Sequence, residues 1–160
     1  MPSMLVVAPI LLAAAALPES RSAVYTPPAG SAERSAIIRT LKGDGDAGVR
    51  YTFKRFHVLR QRSRAISYVE GEGGIGGFQA ILTRAGNAPW RLVWSEGDGG
   101  SDSCAAGARH YDWALRLIKS HTVAPDTLFP GVTARTRELK RMAVSEPDTQ
   151  CVGDLDGGPQ

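Results

Sequence analysis

The stretch Phe78–Glu96, FQAILTRAGNAPWRLVWSE, limits what this chain can fold into more than any other. Phe78, Ala80 and Leu82 alternate with Gln79, Ile81 and Thr83. After the breaker Gly86-Asn87-Ala88-Pro89, Trp90, Leu92 and Trp94 alternate with Arg91, Val93 and Ser95. Period-2 patterning with aromatic residues around a Gly/Asn/Pro turn predicts a β-hairpin. On a regular strand Trp90, Leu92 and Trp94 share one face. That face carries too much apolar area to be left in water, so a helix must cover it.

The ends of the 160-residue chain read differently from its middle. Met4–Leu17, MLVVAPILLAAAAL, carries no charge and is short for a membrane span. With Ala14-Ala15-Ala16 behind it, it reads as a signal-peptide core, cut near Ala16 or near Ser22/Ala23. Residues 1–22 are thus expected to be leader and lead-in, and the mature chain to be periplasmic or secreted with no transmembrane segment. Export also sets how the cysteines read. Cys104 and Cys151 have no CxxC partner and no His at ligand spacing, so no zinc site is indicated. In an oxidising compartment an even count points to one disulfide, with two free thiols as the alternative. The formal net charge is +3, and a cut after Ser22 removes only Glu19 and Arg21. Such a balance falls short of what duplex nucleic-acid binders show, and no nucleic-acid partner is expected.

Within residues 29–130 the pattern predicts one α+β domain. Ser31 caps a helix to about Leu41, with Ile37, Ile38 and Leu41 inward. A strand over Val49–Leu59 shifts its apolar phase at Lys54-Arg55, which indicates a bulge. Gln61–Arg64 forms a turn and Ala65–Glu70 returns. Gly71–Gly77 reads as a loop into the hairpin, and Gly97–Ser103 as a second loop. A helix follows over Ala105–Lys119, striped by Tyr111, Ala114, Leu115 and Ile118. Residues 131–160 form a C-terminal extension with a short basic helix at Arg135–Met142 and a frayed end. The expected architecture is an N-terminal helix, a four-stranded antiparallel curved sheet and a C-terminal helix.

SAERSAIIRTLK, a strand pair, AILTR with WRLVWSEGD, and Leu128-Phe129-Pro130 together resemble a group of small exported bacterial proteins. Those are domains of uncharacterised function with an NTF2-like or cystatin-like α+β form, sometimes beside SH3-like modules. The matching positions here are Ser31–Arg34, Ile81–Arg84 with Trp90–Val93, and Leu128–Pro130. The glycine-rich loop and the long C-terminal extension depart from that pattern. The resemblance implies no catalytic residue.

Several motifs invite chemistry. Gly71, Gly73 and Gly76 spell GxGxxG after a strand, with Glu96 further on, as in a dinucleotide fold if Gly77–Ala85 were helical. The unit starts deep in the chain and too little sequence follows for the remaining crossovers, so a loop explains the glycines and no cofactor is expected. Asp44, Asp46, Asp98, Asp102, Asp154 and Asp156 cluster without an EF-hand ligand series and read as solvated turns, with no metal. His110 and Asp112 near Ser101 or Ser103 lack the nucleophile elbow of a hydrolase. Glu70 and Glu72 share a face if their strand reaches that far, as paired glycosidase acids do.

Two functional classes follow. The first is an exported, non-catalytic binding module of the cell envelope, with an envelope protein or an anionic envelope component as partner. Its candidate contacts are Arg60, Arg62 and Arg64 around a turn, with Tyr68 and Trp94. The alternative is a small NTF2-like hydrolase or isomerase with an acid or His in a helix–sheet pocket. No acid/base pair stands out at inward positions, which favours binding. Trp94 itself is expected in the core, and at an open pocket mouth under the competing view.

Overall fold

The computed structural model describes residues 23–43, 45, 48–74 and 76–159. The leader predicted over residues 1–22, and Asp44 and Asp46 of the aspartate set, lie outside them. The chain runs β1 (Val24–Tyr25), α1 (Ala32–Lys42), β2 (Thr52–Arg60), β3 (Arg64–Gly73), β4 (Gly76–Ala85), β5 (Arg91–Ser103), α2 (Cys104–Lys119), α3 (Pro125–Leu128), α4 (Val132–Ser145) and β6 (Gln150–Gly157). Six strands form one sheet in sequence order, every neighbour antiparallel.

The α+β class stands, but the four-stranded sheet framed by terminal helices is corrected to a six-stranded antiparallel sheet with four helices among the described residues. Val24–Tyr25, read as an extended lead-in, pairs with Leu59 and Val58. The end read as frayed is β6, paired with β5 through Trp94–Gly97 and Asp154–Gly157. The glycine-rich loop is also absent: β3 and β4 pair without interruption to Gly73↔Gly76, and their turn includes Gly74. Glycine is needed there by close approach. A Cβ on Gly71 would lie 2.0 Å from the Thr52 carbonyl oxygen.

Helices cover both faces. Ser31 caps α1 by accepting from the Arg34 amide at 3.3 Å. Ile37 of α1 packs with Phe56, Val58, Ala65, Val69, Ala80, Leu82 and Trp90. The opposite face buries Leu59, Ile66, Tyr68, Ile81 and Trp94 under Tyr111, Leu115 and Ile118 of α2, Leu128 of α3, Phe129 just after it, and Leu139 of α4. Ser103 caps α2 through the Ala106 amide at 3.2 Å. Buried on both sides, β3 reads as a continuous apolar run from Ala65 to Val69 broken only by Ser67.

Two bulges decide which side chain faces which helix. The expected irregularity near Lys54-Arg55 is present, as a register shift between Phe53 and Arg55. A second one was not legible: Ile81 opposes Trp94 and Leu82 opposes Leu92, leaving Val93 as the extra residue. The inserted residue reverses the alternation. Trp94 therefore faces α2, and Trp90 lies on the α1 side, so the two tryptophans do not share a face.

The segment after residue 131 belongs to the same layers. Gly131, at φ 83° in the left-handed region that favours glycine, precedes α4, which packs along α2. A disulfide joins Cys104 at the start of α2 to Cys151 in β6, Cα atoms 4.7 Å apart. The amides of Cys104 and Ala105, free at the helix start, donate to the carbonyls of Thr149 and Pro147 at 2.8 and 3.0 Å.

Candidate functional site

Beyond the cover of α2 and α3, the same face of the sheet continues to the β3–β4 turn and is left open. It forms a trough of about 890 Å³. Lining residues come from β2 (Thr52–Lys54), β3 (Glu70–Glu72), β4 (Gly77–Gln79), β5 (Glu96–Asp98, Gly100) and β6 (Gln150–Gly153). Spanning these five strands, it is roughly 19 Å across.

Its polar floor is held from below by two buried phenols. Tyr68 and Tyr111 are 1% and 3% exposed. The Tyr68 hydroxyl donates to Gln79 Oε1 at 2.9 Å and lies 3.3 Å from Glu70 Oε2. The Gln79 side chain also hydrogen-bonds Tyr111, so it is held between the two phenols. Tyr111 donates to Glu96 Oε2, and Glu96 Oε1 accepts from the Gly153 amide at 3.1 Å. Burial, then the neighbouring Glu70 and Glu96 carboxylates, pushes both phenols well above the usual tyrosine range, so both remain donors. Phe129 stacks on Tyr68 with ring centroids 4.1 Å apart and fixes its ring.

Among the described residues, Glu70, Glu96 and Asp98 of the floor each have a fixed partner and Glu72 has none. Glu70 pairs with Arg55 and with Lys54 Nζ at 3.0 Å. Partial burial alone would raise its pKa, but the hydrogen bonds from Lys54 and Arg55 hold it below the ordinary glutamate value. Asp98 Oδ2 accepts from the Gly77 amide at 2.7 Å. Glu70 and Glu72 do share the trough face, yet Glu70 is committed to its two cations. Among the described residues no cluster of three or more His, Cys, Asp or Glu is placed to hold a metal ion.

The other motifs fall elsewhere. The segment after GxGxxG is strand β4, so no helix N-terminus stands there for a pyrophosphate. His110 is 3% exposed; its Nε2 lies 3.0 Å from the Ser95 carbonyl oxygen, and Asp112 pairs with Arg116 and Lys140. Ser103 is the cap of α2, so no triad assembles. Trp94 is fully buried, donates from Nε1 to the His110 carbonyl at 3.2 Å and meets Tyr111 edge-on. Neither Trp94 nor Tyr68 presents a ring face to solvent.

Arg60 pairs with Glu33 at 2.6 Å, Arg64 donates to Gln61 at 2.6 Å and to the Ser120 carbonyl, and Arg62 is exposed in the turn. These three lie at the end of the sheet opposite the trough and contribute nothing to it. Gln79 and Gly153 were missed as candidate site residues, and Glu96 was considered only as the acid of a dinucleotide fold. The signal available was polar residues at alternate positions among the glycines: Glu70 and Glu72, Glu96 and Asp98, with Gln79 two residues past Gly77.

No helix among the described residues is long and apolar enough to cross a membrane. The disulfide fits an oxidising compartment. Comparison with family models, curated proteins and solved structures finds no match for this chain.

Proposed function

We propose that this chain is an exported, non-catalytic binding module of the bacterial cell envelope, and that the trough is its recognition site. One observation carries the reading: the floor groups Gln79, Glu70 and Glu96 are fixed by the buried hydroxyls of Tyr68 and Tyr111. A polar surface held in place before the ligand arrives loses little entropy on binding. The same bonds occupy Glu70 and Glu96, two carboxylates that a hydrolase or isomerase would need free for proton transfer. The disulfide and the leader-like N-terminal stretch support export, and the resemblance of residues 29–130 to small exported bacterial proteins agrees with it.

A cell-envelope extract passed over immobilised protein tests the reading, with a Glu72→Lys/Gln79→Ala variant as the reference column. Both changes lie at the trough surface. A component held by the parent protein and released from the variant supports the trough as recognition site. Equal retention on both columns, or chemical conversion of the retained component, contradicts it.

A further inference from the structure

The end of the molecule opposite the trough is built from the β2–β3 turn, the β4–β5 turn and the C-terminus of α2. Hydrogen bonds make these three one surface. The Gly86 amide donates to the Ser63 carbonyl at 2.8 Å, Gln61 Nε2 donates to the His121 carbonyl at 2.8 Å, and Arg64 reaches the Ser120 carbonyl. Six cations gather there: Arg60, Arg62, Arg64, Arg84, Arg91 and Lys119. Glu33 takes up Arg60 and Arg84. Arg62, Arg64 and Arg91 are exposed and have no carboxylate partner among the described residues, whereas Lys119 acts on the Asp112 carboxylate.

Two residues past His121, Val123 is 99% exposed. The nearby acid Asp126 turns back to accept from Thr133. A fully exposed branched apolar side chain at the same end of the molecule as exposed arginine residues is the combination that an anionic lipid surface rewards. The apolar group enters the headgroup layer while the arginine forks reach phosphate oxygens.

We infer that this end is a docking surface for an anionic lipid bilayer. Three exposed cations without a carboxylate partner suffice for reversible attachment, each contributing about fivefold in partition at low salt. A nucleic acid would use the cations but gives Val123 nothing to enter. Strand length places the trough about 25–30 Å from the bilayer. The inference is independent of the trough reading, because its variants alter none of the trough residues.

Co-sedimentation of the full chain with vesicles tests it, using phosphatidylcholine with and without phosphatidylglycerol at low and high salt. Neutral vesicles give the baseline, including any contribution from the apolar N-terminal stretch. The expected result is binding that requires phosphatidylglycerol and is reversed by salt. It should fall at least about twentyfold in Arg62→Glu/Arg91→Glu, and severalfold in Val123→Asp. Arg137→Glu/Arg141→Glu changes the same net charge on exposed positions of α4 and should weaken binding far less. Thermal melts identify any variant whose fold is disturbed. The inference is overturned by binding indifferent to phosphatidylglycerol, by equal losses in the two double variants, or by tight association with duplex DNA and none with the vesicles.

Discussion

Tyr111 of α2 and Glu96 of β5 are joined phenol to carboxylate, and this bond links the helical layer to the floor of the trough. The Glu96 carboxylate also receives the Gly153 amide, so one side chain connects α2, β5 and β6. Glu96→Ala strands a buried hydroxyl and a backbone amide together. It should cost about 1–3 kcal/mol in urea unfolding, and Tyr111→Phe should cost less. Equal midpoints for Glu96→Ala and the parent protein would show that the bond has no structural role.

Trp94 contributes to the core alone. Its ring packs against His110 at 4.9 Å and Phe129 at 5.6 Å, with no exposed face. Trp94→Ala should lose about 3–5 kcal/mol of stability. Trp90→Ala should lose a comparable amount from the other face, where Arg84 lies 4.9 Å from the ring centroid. Because the sheet separates the two sites, the double variant should lose the sum of the single losses, as unfolding curves would reveal.

The disulfide should matter most for β6. Closing a loop with sequence separation 47 is worth about 4 kcal/mol in the chain-entropy model. Cys104→Ser/Cys151→Ser should therefore lower stability and speed amide exchange over Gln150–Gly157 ahead of β3 and β4. Gly153→Ala attacks the same strand by sterics, since its Cβ would lie 1.7 Å from the Gly97 carbonyl oxygen. Uniform exchange across the sheet in the cysteine variant would contradict this role.

Stability should fall as the solution is acidified below about pH 6.5. Burial, reinforced by the Arg64 charge, lowers the His121 pKa to about 4, and burial also lowers that of His110. A histidine depressed in the folded state binds its proton more readily when unfolded. Its penalty is absent above the unfolded pKa and grows as pH falls towards the folded one. Urea midpoints should decline between about pH 6.5 and 4, and His121→Asn should flatten that slope. Glu33, held below its ordinary value by the Tyr25 hydroxyl and then Arg60, and Glu70 and Asp112, held low by cationic partners, add their own loss only at lower pH.

Much of the frame was readable because local chemistry and tertiary structure agree. Ser31 and Ser103 cap helices with regular apolar stripes, and the phase change at Lys54 marks a real bulge. The bulge at Val93 carries no glycine or proline, so strict alternation put Trp90 on the wrong face. QCVGDLDG has no alternating apolar pattern. It becomes a strand because Val152 and Leu155 reach the core, β5 offers its edge and Cys104 anchors its start. The trough was illegible for the same reason, since one wall comes from that strand and its floor from four others.

The most direct measurement is an amide chemical-shift map of the full chain titrated with the envelope component that the Glu72→Lys/Gln79→Ala variant releases. If the trough is the recognition site, perturbations cluster at Thr52, Glu72, Gln79, Gly97 and Gly153, and the component is recovered unchanged. Perturbations centred on Arg62, Arg91 and Val123 instead, or a chemically altered component, would contradict a non-catalytic recognition trough.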